Sequence, residues 1–172
     1  MILITETGAG LSNALSYCSV ADANAYFINR GNDAWDAMTD DAKSTAIVRG
    51  CDYITQTYRG RWSGYRVSTV QALDWPRFMV PRIDTVNFMG VASFYLPTVI
   101  PAELIAANAE AAMRSSLVDM LEDQDTPTIQ ETVGPISVHK AIGASQFKRY
   151  PVIDRLIQTF LLNGNGFRIT RS

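Results

Sequence analysis

Arg59, Arg61, Arg66, Arg77 and Arg82 share one short window with Trp62, Tyr65, Trp75 and Phe78, in and around the blocks YRGRW and QALDWPR. Arginine carries a flat, permanently charged fork that stacks on rings and grips carboxylates or phosphates through paired hydrogen bonds. Nucleic-acid bases in turn stack on exposed aromatics. The window therefore suits recognition of a partner, single-stranded DNA included. The same residues would equally seal the edge of a small helical core, because tryptophan rings and arginine stems bury much apolar surface. Both readings stand on residue type alone.

Other chemistry finds little to work with. His139 is the single histidine, with no cysteine or carboxylate near it at ligand spacing, which leaves zinc and Ser/His/Asp schemes without parts. The glycines of GAGL and GNGF lack the Lys-Ser/Thr or the strand-then-helix setting of a nucleotide loop. Asp40 with Asp41, and Glu122 with Asp123, sit at expected helix ends, where capping explains them better than acid/base work. Cys18 and Cys51 stand alone, without CxxC spacing, and read as small buried thiols. The expectation is a protein with no catalytic residues, cofactor or metal.

A chain of 172 residues supports one domain with a proper core. Its net charge of −2 excludes binding to duplex DNA by charge alone. The charge is unevenly spread: net −4 over residues 1–57, +3 over 58–100, −5 over 101–125 and +4 over 126–172. Such opposed blocks can complement each other within one fold or between subunits of a homo-oligomer. MILITETGAG has neither a basic start nor a long apolar core, so it does not read as a signal peptide. The uncharged stretch from Thr85 to Ala102 is interrupted by Asn87, Gly90, Pro97 and Pro101, too often for a bilayer span. A soluble protein made inside the cell is expected.

Four helices must position these residues. Ser19 caps the first, with Asp22 three residues on and Val20, Ala23, Tyr26 and Phe27 on one face until Gly31. Thr39 caps the second, with Asp40 and Asp41 in its first turn and a stripe of Ala42, Ala46, Ile47, Tyr53 and Ile54; Trp35, just before it, reads as a core plug. Pro101 opens the third at a first helical position, running to Leu121. Its inward face of Leu104, Ala107 or Asn108, Ala111, Ala112, Ser115 and Val118 is small enough for close approach by another helix, which makes it central. Ile129, Val133, Ile136 and Val138 around Gly134 and Pro135 predict extended chain or a hairpin. Tyr150 and Pro151 open the last helix, with Val152, Ile153, Leu156, Ile157, Phe160 and Leu161 inward and Asn163 to Gly166 as its stop. The fold class is mainly α: a bundle of about four helices (core about 17–162), a short hairpin and an extended tail, 163–172.

The ordered blocks SYCSVADANAYFINRGNDAW, YRGRW, QALDWPR, IPAELIAANAEAAMRSSL, ETVGPISV and YPVIDRLIQTFLLNG, from about Tyr17 onward, resemble a phage family labelled as a DnaT-like single-stranded DNA-binding protein. Its members look like head-to-tail adaptors that dock beneath the portal of tailed phages. The segment Val86 to Leu96 departs from the family, which tends to carry a shorter glycine-rich link there. The resemblance implies a twelve-fold homo-oligomeric ring in the virion, touching the portal protein and a tail-side connector or tail terminator. Packaged DNA would cross its lumen without sequence-specific binding, and no membrane is involved. Candidate contacts are Phe167, Arg168, Ile169 and Arg171 of the tail, Arg59, Arg61 and Trp62, and Phe88, Phe94 and Tyr95 of the apolar run. The tail is expected to be mobile in the free subunit and ordered against a partner. The alternative function is a single-stranded DNA-binding module.

Overall fold

Ser19 starts the first helix as its spacing predicts: its Oγ accepts from the Asp22 N–H at 3.1 Å, while Asp22 Oδ2 accepts from the Ser19 N–H at 3.0 Å. Two backbone donors that a helix start leaves orphaned are thereby satisfied. The computed structural model describes residues 2–86, 89–90, 92–122, 130–133, 136–139 and 148–162. In these, α1 (Val20–Ile28) turns Ala23 and Phe27 inward, and the single turn α2 (Asp33–Asp36), capped by Asn32, drops Trp35 into the core at 1% exposure. Next, α3 (Asp40–Tyr58), capped by Thr39, extends for 19 residues, about 28 Å at 1.5 Å per residue. Two antiparallel ribbons follow, β1 (Tyr65–Arg66) with β2 (Arg77–Phe78) and β3 (Pro81–Val86) with β4 (Ala92–Phe94). After α4 (Ala102–Ser115), a hairpin pairs β5 (Gln130–Val133) with β6 (Ile136–His139), and α5 (Pro151–Ile157) tightens into a 3₁₀ turn over Gln158–Phe160. The domain is mainly α, as expected.

The seam between α3 and α4 explains why α4 is built of small residues. Ala107, Ala109, Ala111 and Ala112 are all fully buried, and Gly50 of α3 faces the backbone of Ala111 and Ala112. Polar teeth cross the same seam: Asn108 Nδ2 donates to the Ile47 carbonyl at 3.0 Å and Ser115 Oγ to the Ala46 carbonyl at 2.8 Å. Asn108 Oδ1 also accepts from the Tyr17 N–H at 3.0 Å, so this buried amide has partners on both sides. Two apolar clusters lie along α3. Trp35, Phe27, Ala46 and Ile47 form one, and Ile54, Tyr58, Trp62, Trp75, Leu104, Ile153, Ile157 and Phe160 belong to the other.

Several expectations need correction. α4 stops at Ser115 and not at Leu121, and Val118 is exposed. The cause is local: the Ser115 and Ser116 hydroxyls donate to the Ala112 and Met113 carbonyls at 2.9 and 2.7 Å, competing with the helical ladder. Pro101 is the N-cap and not the first helical residue. Ala42 faces solvent, and Lys43 takes the inward place with its ammonium 5.9 Å from the Trp35 ring centre. In the last helix Val152 is exposed, and Ile153, Ile157 and Phe160 carry the packing. The two ribbons between Tyr65 and Phe94 were not anticipated. The expected hairpin around Val133 and Ile136 is present, while Ile129, the stop at Asn163 to Gly166 and the tail lie outside the described residues.

Cys18 and Cys51 are buried free thiols, as their isolation suggested. Burial pushes each up to about 12, with the Asp22 and Asp52 charges adding to the effect. Burial also raises Tyr17 and Tyr58 well above the ordinary phenol range. Groups whose pKa is raised on folding stabilise fully below their unfolded values, about 8.5 for cysteine and 10 for tyrosine, and that stability is lost as pH climbs through the folded values. The melting temperature should fall progressively above about pH 9. A thiol reagent at pH 8 should leave both cysteines unmodified until denaturant is added. Modification of either in the native state, or a flat melting profile to pH 11, would contradict the burial described.

Candidate interaction surface

Folding divides the arginine and aromatic window into an inner and an outer set. Trp75 is fully buried, its ring edge-on to Trp62 at 6.3 Å, to Tyr95 at 6.1 Å and to Phe160 at 5.4 Å. Trp62 is 3% exposed, so its expected role as a partner contact is corrected: it is core. Tyr95 is half-buried against Trp75 and Phe160 and so closes the core from outside. The bonded pair β1 and β2 sets this division. It points Tyr65 and Phe78 outward, rings 5.4 Å apart, while Trp62 and Trp75 go beneath.

Two of the five arginines are consumed by the fold. Arg77 donates from Nε to the Ser63 carbonyl at 2.8 Å and from its terminal nitrogens to the Gly64 and Asp74 carbonyls at 2.7 and 3.1 Å. Arg66 donates to the Gln71 and Leu73 carbonyls, both at 2.7 Å. Loops without strands or helices leave carbonyls unpaired, and these forks satisfy them. Burial lowers the Arg77 pKa, with the Asp74 carboxylate pulling it back up. Asp74 is itself buried, with Arg59 Nε at 3.6 Å and Arg66 Nε at 4.0 Å. Tyr17 Oη holds the same loop by accepting from the Asp74 and Trp75 N–H groups at 3.0 and 3.3 Å.

The outer set is Arg59, Arg61 and Arg82, all exposed. Arg61 lies over the Tyr58 ring at 5.2 Å and Arg82 over Tyr95 at 5.0 Å. Beside them stands an apolar edge built by the ribbons. Ile83, Val86, Met89, Phe94 and Leu96, on or beside the second ribbon, are each at least half exposed, and Tyr65, Phe78 and Met79, on or beside the first, are exposed as well. Single exposed apolar residues are ordinary, but a contiguous group marks an interaction surface. The apolar run from Thr85 is thus not ordinary core throughout: Tyr95 and Ile100 pack against the buried cluster, whereas Val86, Met89, Phe94 and Leu96 are at least half exposed.

Of the sequence-derived candidates, the structure brings Arg59, Arg61, Phe94 and Tyr95 to this end of the molecule and withdraws Trp62. Phe88, Phe167, Arg168, Ile169 and Arg171 lie outside the described residues. Met79 and Ile83 were missed: both lie outside the uncharged run, Ile83 between Arg82 and Asp84, and it is the ribbon pairing that leaves them exposed. Among the described residues no group of three His, Cys, Asp or Glu side chains could hold a metal ion, and no helix is long and apolar enough to cross a membrane.

These features define a small, mainly α domain with an outward apolar and basic edge. Residues 1–172 match the family model described as "Putative DnaT-like ssDNA binding protein", and the chain belongs to that family. No curated protein and no solved structure matches it.

Proposed function

We propose that the chain is a structural subunit of the head-to-tail junction of a tailed phage, acting without catalysis, cofactor or metal. Copies form a ring, twelve-fold by the family resemblance, beneath the portal protein and above a tail-side connector or tail terminator. Packaged DNA passes through the lumen. The observation that carries this reading is the use of the window's aromatics. Trp62 and Trp75, the rings best able to stack on bases, are core, while the exposed rings and aliphatic side chains form an edge suited to protein.

The second reading, a single-stranded DNA-binding module, has the family description and the outward Arg59, Arg61 and Arg82 in its favour. The two separate cleanly. Microscopy of particles completed with the protein should place a ring of density between portal and tail, and titration with a single-stranded oligonucleotide should show no tight, salt-sensitive binding. Tight binding that falls steeply with salt and disappears in the Arg59→Ala/Arg61→Ala variant would instead establish the DNA-binding function.

A further inference from the structure

The two ends of α3 carry exposed charges of opposite sign. Ahead of α3, a groove of about 250 Å³ opens between α1 and α2, floored by Phe27 and Trp35 and edged by Ile28, Asp33 and Asp36. This is below the roughly 300–1,000 Å³ of small-molecule pockets and suits a single protein side chain. Both carboxylates are exposed, and neither has an ion-pair partner among the described residues. The neighbouring cations are directed elsewhere: Arg30 lies over the Tyr26 ring at 3.5 Å and donates to the Tyr26 carbonyl, and Lys43 is buried beneath Trp35.

At the other end of α3, Arg61 and Arg82 are exposed on their aromatic rings and make no ion pair with a described residue. The helix between the two ends is about 28 Å long, several times the ~8 Å over which charges interact at physiological salt. An acidic, apolar-floored groove and a basic, aromatic-backed surface on one rigid strut are therefore complementary only between molecules.

We infer that the acidic groove between α1 and α2 receives an arginine from the Arg61 and Arg82 end of a second copy of this chain. The contact is heterologous: each subunit offers one end as donor and the other as acceptor, which generates a ring where the rotation closes. The inference rests on the self-assembling part of the proposed function and is independent of portal attachment.

Charge reversal tests it. The wild-type protein should self-associate at low salt by light scattering and dissociate as salt rises. Asp33→Arg/Asp36→Arg and Arg61→Glu/Arg82→Glu should each weaken self-association at least about tenfold while keeping the wild-type melting temperature. Mixed in equal amounts, the two variants should assemble again, because each altered end now complements the altered end of the other. A wild-type protein that stays monomeric at low salt, a folded variant that assembles as the wild type does, or a mixture that fails to recover would each overturn the inference. Assembly through this contact without attachment to portal-bearing heads would uphold it and sink the adaptor function.

Discussion

Gly50→Val should cost about 4 kcal/mol, a cost typical of the most damaging core substitutions. Two effects oppose each other at this position. A glycine inside a helix costs about 1 kcal/mol relative to alanine, so a side chain there would ordinarily help α3. Here a Cβ would lie 2.6 Å from the Ala112 nitrogen and 2.8 Å from the Ala111 carbonyl carbon, both backbone atoms that cannot turn aside. Overpacking of that kind costs about 1–3 kcal/mol for small insertions. Gly50→Ala should therefore already be a net loss, and the branched valine adds two methyls to the same gap. Chemical denaturation of the two variants decides it: a Gly50→Ala protein more stable than the wild type would show that α3 and α4 do not approach as described.

Trp75→Ala should cost about 3–5 kcal/mol. Its ring has no exposed surface and is the common neighbour of Trp62, Tyr95 and Phe160, so truncation removes edge-to-face contacts with all three as well as the buried area. For a domain of this size each kcal/mol is worth about 2–4 °C, which makes the expected fall in melting temperature about 10 °C. Phe78→Ala is the matched control: the ring is 40% exposed on the ribbon and should be nearly neutral in the isolated subunit. Equal losses at Trp75 and Phe78 would mean that the inner and outer sets are not separated as the structure has them.

The helices were legible because their signals are local. Ser19 with Asp22, and Thr39 before Asp40, fix a start through hydrogen bonds between near neighbours, and the alanines of α4 repeat often enough to define a face. The ribbons were not legible for the converse reason. β1 and β2 have two residues each, too few for alternation to register, so nothing local told Trp62 and Trp75 apart from Tyr65 and Phe78. Residue type offered an arginine and aromatic window; only the fold shows that Arg66 and Arg77 serve carbonyls while Arg61 and Arg82 face out. The acidic groove was present in the sequence as NDAWD, but a tryptophan read as a plug does not reveal that its neighbours make a rim.

Asn108 and Ser115 stand two helical turns apart on α4, yet they reach successive carbonyls, those of Ile47 and Ala46. Slipping α4 by one residue would move each side chain 1.5 Å along and about 100° around the axis, and both bonds would break together. Axial slip and rotation are therefore blocked by the same pair, with Gly50 against Ala111 and Ala112 removing any slack between them. A pull applied along these helices meets a latch that does not yield gradually. Any compliance of the subunit under tension must come from the connecting loops and ribbons, and the α3–α4 pair will transmit the load unchanged.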